Sequence, residues 1–246
     1  MEYGIQMYSL RDATEKDLKG ALAAVAQMGY KHVEFAGFFG HSAEDVKSWL
    51  DEFGLRCSGT HTGAAALTEE NLADTIAYHK TIGCSRLIIP GHDLSTAAKL
   101  DEFIELVNRV QPVLAAEGIA LGYHNHSHEF VPNLDGQIIH TELENRTAMQ
   151  FQIDTFWAWN AGLDPVATLE RLAHRVPVIH IKDGIAAAEP AGHAEGKPLG
   201  AGAAPIAAVR AKAIELGMEL VVESETLTPD GPTEAKICID WLKSVE

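Results

Sequence analysis

Short apolar runs in this chain repeatedly end in groups able to bind a metal or move a proton. Glu34 lies within residues 32–36, and His61 closes 56–61. His92 and Asp93 follow 86–90; His124, Asn125 and His126 close 120–126, with Glu129 just beyond. Asp154 closes 150–154, His180 and Lys182 end 178–182, and Glu223 and Glu225 end 220–225. A lone His or Asp in such a place more often caps a helix or binds a loop backbone. The collective pattern differs, because several buried charges around one axis are costly unless paired or bound to a metal. Carboxylate and imidazole ligands without thiolates suit Mn²⁺, Mg²⁺, Co²⁺ or Zn²⁺, and one such ion, Mn²⁺ first among them, is the expected cofactor.

Alternation along a strand sharpens the grouping. His180 and Lys182 share one face, Val221, Glu223 and Glu225 another, Gln152 accompanies Asp154, and Gly122, His124 and His126 form one set. Lys182-Asp183 reads equally well as a salt-bridged strand end.

Eight apolar runs must hold these groups: 4–10, 32–36, 56–61, 86–90, 120–126, 150–154, 178–182 and 220–225. Between them apolar residues recur at helical spacing, as at Leu18, Leu22, Val25 and Met28. Glycines stand where helices should end: Gly29, Gly54, Gly83, Gly118 and Gly217. Eight strand–helix units in 246 residues predict a single (β/α)8 TIM barrel, an α/β fold, with residues 1–246 as one domain. The site then belongs at the C-terminal ends of the strands. Residues 184–205, rich in Gly, Ala and Pro, read as a loop after the seventh strand.

Composition narrows the partners. The net charge of -16, with 19 scattered Lys and Arg, disfavours nucleic acid and anionic membrane surfaces. The three cysteines, Cys57, Cys84 and Cys238, form no CxxC pair and read as reduced packing residues. With no signal-like start and no long apolar run, a cytoplasmic protein is expected.

The segment Tyr123-His124-Asn125-His126-Ser127-His128-Glu129-Phe130 resembles the YHNHxxEF motif of xylose isomerase-like barrel proteins, the sugar phosphate isomerase/epimerase type. Gln152-Ile153-Asp154-Thr155-Phe156-Trp157, then Ala161-Gly162-Leu163-Asp164-Pro165, is similar to that family's qlDxxW…aGxDP segment. Val178-Ile179-His180-Ile181-Lys182-Asp183 resembles its vHlKD motif, and Val221-Val222-Glu223 its closing strand. The likeness spans nearly the whole chain and includes Ser58-Gly59-Thr60-His61. It implies a metal held by Glu129, Asp154, His180 and Glu223. Many relatives place the first glutamate inside strand five, where Gly122 stands here, so His124 and His126 are the alternatives to Glu129.

The resemblance implies isomerisation or epimerisation of a small sugar or polyol-derived ketone, by proton transfer through an enediolate. His126 and Glu223 are the expected bases and Lys182 an electrophilic or orienting partner. Glu34, His61, His92, His124 and Trp157 are candidates for substrate contact, with Trp159 beside them. Only Lys197 is basic in the loop after strand seven, and Glu189 and Glu195 oppose an anion, which favours an unphosphorylated substrate. A lyase or dehydratase acting on an oxidised sugar, glycoside or inositol would use the same metal and base. A non-catalytic sugar-binding barrel would lack the metal, and a three-metal DNA-repair endonuclease would need a basic groove. Relatives are often dimers or tetramers, so a homo-oligomer is compatible with the resemblance.

Overall fold

A computed structural model describes residues 1–246. Eight parallel strands close into a barrel: β1 (Gly4–Gln6), β2 (His32–Phe35), β3 (Arg56–His61), β4 (Arg86–Ile89), β5 (Ala120–His124), β6 (Gln150–Asp154), β7 (Val178–Ile181) and, after a small hairpin, β10 (Glu219–Val222). The hairpin strands are β8 (Asp183–Ile185) and β9 (Glu195–Lys197), which pair antiparallel. The covering helices include α2 (Leu18–Met28), α3 (Ala43–Phe53), α4 (Leu72–Ile82), α5 (Ala97–Ala116), α6 (Ile139–Arg146), α8 (Pro165–Leu172), α9 (Ile206–Glu215) and α10 (Gly231–Ser244). Short helices α1 (Arg11–Thr14) and α7 (Thr155–Asn160) follow the first and sixth barrel strands. None of the helices is long and apolar enough to cross a membrane.

The expected (β/α)8 order is therefore present, and local chemistry explains its boundaries. All five glycines expected to end helices adopt positive φ, from 65° at Gly54 to 106° at Gly29. Asp17, Ser42, Asp164 and Asp230 open helices by accepting N–H groups of the first turn. The first strand is shorter than its apolar run: the Gln6 side chain accepts the Tyr8 N–H at 3.0 Å and turns residues 7–10 into a 3₁₀ helix. Residues 184–205 are more ordered than a plain loop, since they contain β9 and most of β8.

Burial on both faces of the sheet follows from closure. A layer of 53 buried apolar residues lies around the strands and helices. A separate trio, Ile88, Val178 and Val221, packs together on the face that also carries His180 on β7. Register sets the height of the polar groups beyond it. Gln6 pairs with Glu34, His124 with Gln152, and Asp154 with His180, so these side chains enter the barrel on adjacent strands.

The opposite end of the barrel carries a pH-sensitive histidine. His32 is buried, its Nδ1 has no partner, and a Cβ on neighbouring Gly4 would lie 2.1 Å from that atom. Burial, helped by the Arg56 charge, lowers its pKa to about 4. The unfolded chain takes up the proton near the ordinary 6.5 and the folded chain only near 4. This contribution to stability is thus complete above 6.5 and is lost as pH falls through 4, at a cost of about 3 kcal/mol. Urea unfolding at about pH 7 and about pH 4.5 checks it. His32→Phe should lose about 2 kcal/mol less than the native chain between those pH values, and equal losses would remove His32 as the cause.

Candidate active site

Glu34 anchors the floor of the site. It is 0% exposed. Its Oε1 accepts Gln6 Nε2 at 2.6 Å and lies 2.7 Å from His180 Nε2 and 3.1 Å from His61 Nε2. Its Oε2 accepts Gln152 Nε2 at 2.6 Å, and Gly59 leaves room for it, since a Cβ there would lie 3.0 Å away. Burial pushes the Glu34 carboxyl up, but His61 and His180 outweigh that and hold it well below the usual range. Glu34 was expected at the substrate. The structure places it beneath the site, with both oxygens engaged, where it orients His180.

Four buried groups converge above that floor: His124, Asp154, His180 and Glu223 each offer a ligand atom, all within 4.8 Å of one another. His180 commits Nε2 to Glu34 and leaves Nδ1 without a hydrogen bond, 3.3 Å from Glu223 Oε2. His124 points Nδ1 at Gln152 Oε1, 3.1 Å away, which leaves Nε2 for the site. Asp154 Oδ1 accepts the Trp157 N–H at 2.9 Å, while its buried Oδ2 has no partner. Asn125 fixes Asp154 from the side, bonding its backbone N–H and C=O at 3.1 and 3.2 Å.

Charge is unbalanced in this cluster. Burial pushes Asp154 up to about 7, with Glu223 adding to it against Lys182. His180 is also pushed up, to about 10: burial opposes its charge, but Glu34 and Glu223 prevail. Burial drives His124 well below its ordinary value, aided by His180 and His61, so its imidazole is neutral. Lys182 is buried beside Glu223 at 3.5 Å, is bonded to Glu225, and lies 4.6 Å over the Trp157 ring. These carboxylates outweigh the burial and keep it charged.

A cavity of about 360 Å³ opens over the cluster, lined by Tyr8, Ala36, His61, Pro90, His124, His126, Glu223 and Glu225. His126 is half-buried there, its ring 5.0 Å from that of His124 and edge-on. Burial lowers its pKa, which leaves an unprotonated imidazole at neutral pH.

Of the residues expected at the metal, Asp154, His180 and Glu223 come together, and His124 stands fourth. Glu129 is held elsewhere. Its Oε1 accepts the Tyr123 hydroxyl at 3.0 Å and lies 3.1 Å from His128, and its Oε2 accepts the His126 N–H at 2.8 Å. It shapes the His126 loop. His61 lies at the cavity wall with Nε2 2.8 Å from Gln152 Oε1. His92 instead lines a separate cleft with Asp93 and His128 and stacks on Phe103. Trp157 covers Lys182, and its buried Nε1 has no partner. Gln6 and Tyr8 carried no strong sequence signal, although Gln6 was visible as a polar residue in an apolar run. Asn125 stood among the strand-end groups, but its bracing of Asp154 was not legible there.

Comparison with known proteins identifies the barrel's family. The profile of the family described as Xylose isomerase-like TIM barrel matches residues 22–245. The crystal structure of a sugar phosphate isomerase/epimerase from Parabacteroides distasonis is 25% identical, with a TM-score of 0.83 over 98% of this chain and 97% of that one. A probable 3-DHS dehydratase of petrobactin synthesis from Bacillus anthracis has the same fold, with a TM-score of 0.78, 12% identity and 99% of both chains covered. The inosose dehydratase of Geobacillus kaustophilus is 21% identical over 186 residues, which span 66% of this chain and only 60% of that protein.

Proposed function

The chain belongs to the xylose isomerase-like TIM barrel family, and from that premise we propose that it is a divalent-metal-dependent isomerase or epimerase of a small sugar or polyol-derived ketone. The observation that carries this reading is the pair of orphaned buried atoms, Asp154 Oδ2 and His180 Nδ1, in a cluster with His124 and Glu223. Two carboxylates and two imidazoles, each imidazole braced through its other nitrogen, fit a divalent cation. The imidazoles favour Mn²⁺, Co²⁺ or Zn²⁺ over Mg²⁺, which prefers oxygen ligands, and Mn²⁺ is the first to test. A bound cation would supply Lewis-acid polarisation of a substrate carbonyl.

The chain's own residues supply the rest. His126, unprotonated and at the cavity wall, takes the proton from the carbon beside the carbonyl. Returning it to the former carbonyl carbon, as the hydroxyl proton passes to the old carbonyl oxygen, isomerises the substrate; a solvent proton delivered to the opposite face of the first carbon, where Glu223 lines the cavity, epimerises it. The Lys182 ammonium, fixed by Glu223 and Glu225, orients the substrate oxygens and opposes developing negative charge. The Trp157 ring and Tyr8 offer apolar faces to the C–H side of a sugar.

Incubation of the Mn²⁺-loaded protein with ketoses, inososes and oxidised glycosides in D₂O tests the reading. Deuterium should enter the carbon beside the carbonyl, in a product otherwise equal in mass to its substrate. His126→Ala and Glu223→Ala should each slow that exchange, and normal turnover in both would sink the assignment. A product lighter by one water would select a dehydratase instead. That second reading draws on a neutral base, His126, at the cavity wall and an acid, Lys182, buried directly behind Glu223 and Glu225 of the same wall, as an elimination requires.

A further inference from the structure

Asp183 follows Lys182 and is just as buried, at 1% exposure, yet it takes no part in the chemistry above. Its Oδ1 accepts the N–H groups of Gly184 at 2.8 Å and Ala204 at 3.1 Å. Its Oδ2 accepts those of Gly200 at 2.9 Å and Gly202 at 3.0 Å. Four main-chain donors thus converge on one carboxylate, and no Lys or Arg side chain bonds to it. The approach is close enough to require glycine at 202, where a Cβ would lie 2.2 Å from Oδ1.

A concave set of backbone N–H groups is an anion site. In (β/α)8 barrels the loops after the seventh and eighth strands are where such groups commonly hold a substrate phosphate. Here the chain has filled the place itself. The nearby cations are committed as well: Lys197 to Glu195, and Lys182 to Glu223 and Glu225. A phosphate arriving at this loop would meet neither free donors nor free cations, and would face the Asp183 charge.

We propose that Asp183 is a built-in substitute for a phosphate: it saturates the anion nest of the loop after β7, so the site selects an unphosphorylated substrate, and removing its carboxylate opens the nest to free oxyanions. The selectivity rests on the sugar or polyol reading of the site, whereas filling of the nest does not.

The test needs no turnover. Thermal unfolding of the native protein and of Asp183→Ala is followed against formate and inorganic phosphate, with chloride at matched ionic strength, and the backbone amides of Gly200 and Gly202 are followed by NMR in the native protein. The native amides should not respond to phosphate. Asp183→Ala should unfold at a lower temperature and recover saturably with formate or phosphate, binding the ion about tenfold or more tightly than the native chain does. Saturable phosphate shifts at Gly200 and Gly202 in the native protein would overturn the proposal. So would a folded Asp183→Ala that neither oxyanion stabilises beyond chloride. If Asp183→Ala does not fold in chloride, its refolding from urea is scored with formate and with phosphate against chloride, and rescue by neither oxyanion overturns the proposal. If the nest behaves as described but a sugar phosphate is turned over faster than the free sugar, the selectivity fails and the nest stands.

Discussion

Asp154→Ala is expected to abolish stoichiometric Mn²⁺ binding and lower turnover by about 10³-fold or more, while leaving the chelated protein folded. The reason lies in how Asp154 is held. Oδ1 caps α7 through the Trp157 N–H, Asn125 pins the backbone, and Oδ2 is aimed at His180 and Glu223 with no partner of its own. Removing the side chain sacrifices a helix cap worth about 1 kcal/mol. It also removes a buried unpaired oxygen, whose burial costs about 1–3 kcal/mol. The two changes oppose each other, so stability without metal should move little. With metal the two proteins diverge: at a hundredfold excess over Kd the native chain gains about 2.7 kcal/mol and the variant gains none. Metal content after dialysis and melting with and without Mn²⁺ read both effects. Asp154→Asn keeps the cap and isolates the loss of the ligand. If Asp154→Ala holds Mn²⁺ as tightly as the native chain, the cluster is not a metal site.

The barrel was legible in the sequence because its signals are local. The apolar runs, their alternation and the glycines that close the helices each depend on a few neighbouring residues. Asp154, His180 and Glu223 were legible for the same reason, since each ends or follows a strand and strand ends share one rim. The role of Glu34 was not. Its position within a strand looks like that of His61, and only the register that sets Gln6, Gln152 and His180 around it shows it enclosed rather than open. The choice between Glu129 and His124 also depended on geometry. A 3₁₀ turn over His128–Phe130 directs Glu129 to the Tyr123 hydroxyl, whereas His124 shares the inward face of β5 with Gly122. The Asp183 nest joins residues 183 and 184 to residues 200–204, a contact no pattern of spacing announces.

That enclosure makes Glu34 the most consequential structural carboxylate, and Glu34→Ala should cost about 3–5 kcal/mol, as removal of one partner from a buried ion pair does. Four groups lose their acceptor together: Gln6 Nε2, Gln152 Nε2, His61 and His180. Gln6, Gln152 and His180 are buried above the apolar trio Ile88, Val178 and Val221 and cannot turn to water; only His61 reaches the cavity. For a chain of this size the melting temperature should fall by roughly 6–20 °C. Glu34→Gln fills the same volume but replaces one acceptor oxygen by a donor, which must then face His180 or Gln152, so it should restore only part of the loss. The change should also weaken the proposed metal site. With Glu34 gone, nothing fixes which nitrogen of His180 faces Asp154 and Glu223, and loss of such an outer partner costs about 10–100-fold in metal affinity. Melting under chelation separates the first effect from the second, which Mn²⁺ titration reads. A Glu34→Ala protein with native melting temperature and native Mn²⁺ affinity would show that the floor does not hold the site. A lower melting temperature with unchanged affinity would confine Glu34 to the fold.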